Sequence, residues 1–190
     1  MSSHHIVREK QEPALLLLSL DNFDDELLGQ LLEWSPTVIA TSKTAEQVYA
    51  FGIKIDVIAD DHSQADNQSN IKQIRLNGQS TTNAVLNHLV EAGYPAVNII
   101  ADELDIAATE QYGNSINIVW FCHDEKVFPI RSGFKKWKPK GEQIRVLSDT
   151  STLEFEGLER VAPNIYSTTA DGFYSFTFHE PLLFIAEQII

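Results

Sequence analysis

The chain has one cysteine, Cys122, in 190 residues. A single thiol cannot close an internal disulfide or build a cysteine-based zinc site. It ends the apolar run SINIVWFC, Ser115 to Cys122, and is expected to be an inert buried thiol in a strand. Basic residues are scarce: 14 Lys and Arg stand against 27 Asp and Glu, a formal net charge of −13. Such a field repels nucleic acid and anionic membrane surfaces, so neither is expected as a partner. The simplest use of the acidity is solubility. Long apolar runs are missing near the start, where the longest, Ala14 to Leu18, is too short for a signal-peptide core or a membrane span. A cytoplasmic protein is the expectation. There is no internal repeat and no low-complexity tract; the alternation of strands and helices ends near residue 124, and helical periodicity is lost beyond Gly113.

What is present up to that point alternates. Residues 1–12, with His4 and His5, read as a loosely held start. Ala14–Leu20 reads as a buried strand, and Asp21 or Asn22 as the cap of a helix whose apolar face is Phe23, Leu27, Leu28, Leu31 and Leu32. Strands are expected over Thr37–Thr41, Ile53–Ala59, Ile71–Leu76, Val97–Ala101 and Ile116–Cys122. Between them fall a helix ending at Gly52, a helix capped by Ser80 and stopped by Gly93, and a helix over Leu104–Tyr112 stopped by Gly113. This alternation predicts a three-layer α/β/α domain with a mainly parallel sheet over residues 1–124. Over 125–190 short strands separated by turn residues predict an all-β sandwich: Val127–Ile130, Gln143–Leu147, Leu153–Phe155, Tyr174–Phe178 and Leu182–Ala186. His123, Asp124 and Glu125 read as a hairpin turn.

The densest information lies in SKTAEQVYAFGIKIDVIADDHSQ, Ser42 to Gln64. Ala45, Val48 and Tyr49 recur at helical spacing, Gly52 suits a left-handed cap, and a buried strand follows. Asp60 and Asp61 end that strand, on the side where open α/β sheets place their ligands. This stretch resembles the thiamine pyrophosphokinases. That family carries an Asp-Gly-Gly-Ala turn, a helix ending in Gly-Ile, then Pro-Asp, a strand and Gly-Asp-Phe-Asp-Ser. Ala45, Gly52, Ile53, Asp56, Val57, Ile58 and Asp61 match without a gap. Ser42, Lys43 and Thr44 replace Asp-Gly-Gly, and Asp60, His62, Ser63 and Gln64 replace Gly, Phe, Asp and Ser. Further on, Gly141–Leu147, Gly157 with Leu158, Ser167–Thr169 and Pro181–Ile185 follow the order of the family's C-terminal signatures.

The resemblance implies pyrophosphoryl transfer from ATP to thiamine with Mg²⁺, in a homodimer that shares the thiamine site between subunits. Carboxylates must then hold Mg²⁺ across the phosphates. Asp61 keeps one, with Asp60 beside it as a partial substitute, and both are the candidate catalytic and Mg²⁺-binding residues. Lys43 and Thr44 stand in the implied nucleotide turn. Asn77–Thr81 and Leu104–Thr109 replace two further acidic segments, leaving only Asp105. The acidic field also repels ATP where no metal or basic patch offsets it. Weak or lost activity is therefore the expectation, with a non-catalytic binder of thiamine or a nucleotide, or a dimeric regulatory module, as alternatives. Otherwise Asp60 and Asp61 are a solvated strand end, with His62 an exposed neighbour or a metal ligand.

Two other places can hold a ligand. Lys135, Lys136, Trp137, Lys138 and Lys140 form a basic cluster at the expected domain join. Trp137 can stack a flat heterocycle while the lysines meet phosphates, or the segment is a solvated loop around a half-buried indole. Ser167, Thr168 and Thr169 fall near the Ser-Asn signature that helps hold thiamine, with Thr169 at the Asn position; as plain sequence STTADG is a turn. Phe and Tyr in the C-terminal strands suit a dimer interface. A remoter similarity is to response-regulator receiver domains, in which Asp21, Asp24, Asp25 and Asp61 would share one Mg²⁺ site.

Overall fold

The computed structural model describes residues 12–21, 23–61, 71–148 and 152–189. His4, His5, Asn22, His62, Ser63 and Gln64 lie outside the described residues. The chain divides into two compact units, Met1–Ile118 and Val119–Ile190. No helix among the described residues is long and apolar enough to cross a membrane.

In the first unit a parallel sheet runs in the order β5-β1-β2-β3-β4. Its strands are β1 (Ala14–Leu17), β2 (Val38–Ala40), β3 (Val57–Ala59), β4 (Lys72–Ile74) and β5 (Ala96–Ile100). All of β1, β2 and β3 is buried, as expected of strands covered on both faces. β4 exposes Lys72 and Gln73, and a polar strand at a sheet edge discourages pairing with other chains. The chain steps outward from β1 to β4 and then returns to the far side of β1 for β5. That reversal makes a switch point between β1 and β5. It also differs from the 2-1-3-4-5 order of receiver-type sheets.

The helices are α1 (Asp25–Leu32), α2 (Ser42–Ala50), α3 (Thr81–Glu91) and α4 (Ile106–Tyr112). Side-chain caps set their starts, and two of these, those of α1 and α4, correct the sequence expectation. α1 is capped by Asp24, whose carboxylate accepts from Leu27 N–H at 2.8 Å, so Asp21 does not cap it and Phe23 precedes the helix. α2 is capped by Thr41, which exchanges hydrogen bonds with Thr44 in a capping box. α4 begins at Ile106 because Asp105 accepts from Ala108 N–H. Ser80 caps α3 as expected, and Gly52 and Gly93 take the left-handed conformations expected of them. Gly113 ends α4 in ordinary helical geometry. On α2 the buried side chains are Thr44 and Val48, while Tyr49 is exposed. β3 is shorter than expected because Asp56 bridges: its carboxylate takes Val38 N–H and the Lys54 ammonium before the ladder starts.

The second unit is a sandwich. β6 (Asn117–Cys122) leads into it, ending in the buried Cys122. β7 (Glu125–Ile130) follows through the two-residue turn His123–Asp124, with His123 at φ 55°. β9 (Gln143–Val146), β11 (Leu158–Ala162), β12 (Ile165–Thr168) and β14 (Leu183–Gln188) complete an antiparallel layer ordered β11-β12-β9-β14-β7-β6. The facing layer is β10-β13-β8: β10 (Glu154–Glu156), β13 (Gly172–Thr177) and β8 (Phe134–Lys138). Between them pack Ile130, Ile144, Val146, Leu158, Tyr166, Tyr174, Phe176, Phe178, Leu183 and Ile185. The absence of helices beyond Tyr112, among the described residues, matches the loss of periodicity. β8, β11 and β12 are strands that the sequence hid. The basic cluster lies on β8 except for Lys140, which follows it, and STTADG is a turn only from Thr169 onward.

The chain changes layers at Gly157, between β10 and β11. Gly157 has φ +72°, and a Cβ there would sit 2.5 Å from the carbonyl oxygen of Phe173. Gly133 is also left-handed, at φ +83°, but faces open space. Gly157→Ala is expected to cost at least about 2 kcal/mol and Gly133→Ala only about 1 kcal/mol in urea unfolding. Equal losses would remove the steric reason for the glycine.

Candidate functional site

The strand-end carboxylates come first. Asp61 is exposed, but its Oδ1 accepts from Leu76 N–H at 2.7 Å and from Asn77 N–H at 3.1 Å. Asn77 (φ 51°) and Gly78 (φ 79°) turn the chain to the left there, and the Asp61 carboxylate closes that turn. Asp60 is held through its backbone: its N–H donates to Ile74 O, and its carbonyl accepts from Gln73 Nε2. Both sit at the end of β3, two strands and about 10 Å from the switch point between β1 and β5. The segments at that switch point are Leu18–Asp21 and Ala101–Asp105. Leu18 and Ser19 N–H both donate to Ile100 O, which closes β1 onto β5.

Lys43 and Thr44 lie in the first turn of α2. Lys43 is exposed, while Thr44 is buried and its hydroxyl donates to Leu17 O at 2.9 Å, tying the helix to β1. Among the described residues no three His, Cys, Asp or Glu side chains converge as metal ligands. Of the implied site residues, Asp61 thus shares its Oδ1 between two amide donors and Thr44 turns its hydroxyl inward.

In the second unit the structure brings together two sequence candidates. Thr168 is buried, and its hydroxyl donates to Pro139 O at 2.6 Å and accepts from Glu142 N–H at 2.9 Å. Asp171 accepts from Lys140 N–H. The turn after β12 is thereby laced to the segment after β8. Thr169 is exposed, with its N–H donating to Gly157 O, and Ser167 is half-buried. Trp137 pairs in register with Phe173, and the two rings stand 54% and 60% exposed on the outer face of the three-stranded layer. Lys135 shares that face, with its ammonium 5.2 Å above the Phe173 ring.

Strand alternation sends Lys136 and Lys138 the other way, into the sandwich. They meet Glu187, a carboxylate that the sequence reading missed by ending the last strand at Ala186. The signal was present in LFIAEQ: Leu183 and Ile185 face the core, so Glu187 must too. Glu187 is 4% exposed. It accepts from Tyr174 OH at 2.9 Å and from Lys136 Nζ at 2.5 Å, with Lys138 Nζ at 3.4 Å. Burial pushes the Glu187 carboxyl up, but the hydrogen bond and charge of Lys136, the Tyr174 hydroxyl and the charge of Lys138 outweigh it. The carboxyl titrates below the ordinary carboxylate range. Burial and the adjoining Glu187 charge push the Tyr174 phenol far above its usual range, so it stays a neutral donor.

On the outer face of the larger layer a hollow of about 140 Å³ is lined by Asp124, Glu125, Gln143, Arg145, Ile165, Ala186 and Gln188. Its one cation is already taken, because Arg145 holds Glu125 with both Nε and Nη2, and Asp124 accepts from Gln188 Nε2.

A parallel sheet with helices followed by an antiparallel sandwich defines a two-unit α/β-plus-β class, and solved structures share it. No family model matches the chain, and no curated protein matches it in sequence. The thiamine pyrophosphokinase from Bacillus subtilis is similar in structure, with TM-score 0.67 and 12% identity over 94% of this chain and 99% of that one. The thiamin pyrophosphokinase from Geobacillus thermodenitrificans gives 0.70 and 10% over 93% and 97%. The yeast enzyme gives 0.65 and 9% over 96% and 88%. The chain has the thiamine pyrophosphokinase fold along nearly its whole length.

Because Glu187 has a lower folded than unfolded pKa, its stabilisation is complete above the ordinary value of 4.5 and is lost as pH falls through the depressed value. Glu187→Gln leaves two lysines without their buried counter-ion and is expected to cost about 3 kcal/mol at pH 7. The gap between variant and wild type should shrink as pH is lowered below 4, measured by urea unfolding at each pH. A gap constant with pH would show that the charge of Glu187 is not what holds the cluster.

Proposed function

We propose that this chain is a thiamine pyrophosphokinase-fold protein whose catalysis is weak or lost, and that it retains binding of a thiamine-class cation in its sandwich unit. One observation supports the loss: Oδ1 of Asp61 is held by the backbone N–H groups of Leu76 and Asn77, which turns that carboxylate toward the chain. Phosphoryl transfer rests on positioning and charge neutralisation, and each missing contact costs roughly 100- to 1,000-fold in rate. Ser42, Lys43 and Thr44 form a helical turn, with the Thr44 hydroxyl turned inward, where the family has Asp-Gly-Gly.

The net charge of −13 opposes a nucleotide and favours a cation. Trp137 offers an exposed indole face to a flat cationic ring. Ser167 offers a hydroxyl and Thr169 only acceptor lone pairs, because the Thr169 hydroxyl donates to Gly157 O, and Thr168 both donates and accepts inside the fold. A homodimer fits this reading, since two exposed rings side by side, Trp137 and Phe173, are the kind of surface that a second subunit covers.

Incubation with thiamine, ATP and Mg²⁺ is expected to yield no thiamine diphosphate above background, while calorimetry with thiamine alone shows binding. Trp137→Ala should weaken that binding by roughly threefold to thirtyfold. Formation of thiamine diphosphate at an ordinary enzymatic rate, abolished by Asp61→Asn, would overturn the loss of activity. A wild type that does not bind thiamine would overturn the binder.

A further inference from the structure

The Glu187 cluster contains more cation than it needs. Lys126 stands directly opposite Glu187 on the neighbouring strand, so its side chain shares the inner face of the sandwich. Its ammonium lies 5.9 Å from the centre of the Phe121 ring. Among the described residues no carboxylate is within ion-pairing distance of it, because Glu187 is held by Lys136 and Lys138. Burial depresses the Lys126 pKa, the charge of Lys136 adds to this, Glu187 offsets only part, and Lys138 adds a little more. Lys138 also pairs with Glu142 at 3.2 Å. Three ammonium groups therefore gather around two carboxylates. Lys136 keeps 35% of its side-chain surface in solvent and Lys126 is only half-buried, so the spare charge is reachable. A partly desolvated cation without a counter-ion is costly, and a bound oxyanion relieves it.

We infer that Lys126 and Lys136, backed by Lys138, form a binding site for a phosphoryl group at this end of the sandwich. Lys126 is the residue that a ligand oxygen meets first in energetic terms, because the other two ammonium groups already have carboxylates. The backing is rigid: Tyr174, neutral, fixes one oxygen of Glu187, and Lys136 and Lys138 share the other. Lys136 is further placed by the Phe128 ring, 5.3 Å from its ammonium. The site lies on the opposite face of β8 from Trp137, and it stands whether or not thiamine binds there.

The test is calorimetric titration of the full chain with inorganic diphosphate, repeated with Lys126→Met and Lys135→Met. Saturable binding is expected in the wild type, weakened roughly tenfold or more by Lys126→Met, since one charge-assisted hydrogen bond is lost. Lys135→Met should bind like the wild type, because Lys135 sits on the outer face of the same strand. The melting temperature of Lys126→Met should equal or exceed that of the wild type. No saturable binding, an equal loss in Lys135→Met, or a lower melting temperature for Lys126→Met each overturns the site. Separate arms with inorganic phosphate and thiamine monophosphate identify the source of the phosphoryl group: tighter binding of the ester assigns a phosphorylated metabolite, and tighter binding of inorganic phosphate assigns the free ion. Thiamine without phosphate should respond to Trp137→Ala and not to Lys126→Met, so the two readings fail separately.

Discussion

A single buried carboxylate organises the second unit. Glu187 sits on the inner face of β14, in line with Leu183 and Ile185, where a charge is tolerated only if it is paired and hydrogen-bonded. Tyr174 and Lys136 reach it from the opposite layer. The two layers are thus joined by directional bonds as well as by apolar contact, and those bonds have one geometry. Slipping one layer on the other by a residue would bury a charge alone. The aromatic edge contacts of Tyr174 with Phe134 and Phe176 then continue the packing away from the polar end. Hydrophobic contact gives the sandwich its stability, and the Glu187 cluster gives it a register.

The first unit uses its polar side chains differently. Asp24, Asp61, Asp105, Thr41, Thr44 and Ser80 all bind backbone amides at the ends of strands or helices. These are the chain positions at which an open α/β sheet offers chemistry. Here they serve closure of the backbone. A carboxylate that accepts two amide protons is held in one orientation and has less of its charge to offer a metal. The fold is that of the thiamine pyrophosphokinases, while these side chains at its strand and helix ends are aimed at the chain itself.

Much of the first unit was legible because apolar runs and helix caps alternate there at regular intervals. Gly52, Ser80 and Gly93 behave as their chemistry dictates. Boundaries moved where a side chain captured the backbone early, as with Asp24, Asp56 and Asp105. The second unit was read less fully. FKKWK on β8 resembles a basic loop until its alternation is set against a partner strand: Lys135 and Trp137 outward, Phe134, Lys136 and Lys138 inward. LERVA on β11 exposes most of its length, so its strand pattern is weak. The roles of Asp61 and Glu187 depend on residues 15 and 13 positions or more away in sequence, and no local pattern reports such pairings.

Gly157 carries a consequence for how this chain can change. Strand residues alternate faces with a period of two, and β11 begins immediately after the layer crossing. One residue added or removed at the crossing would turn Leu158 out of the core and Glu159 into it. The neighbouring carbonyl of Phe173 leaves no room to absorb the change in a looser turn. Insertions that surface loops elsewhere would accept are therefore closed to the β10–β11 corner, whose length is as fixed as its glycine.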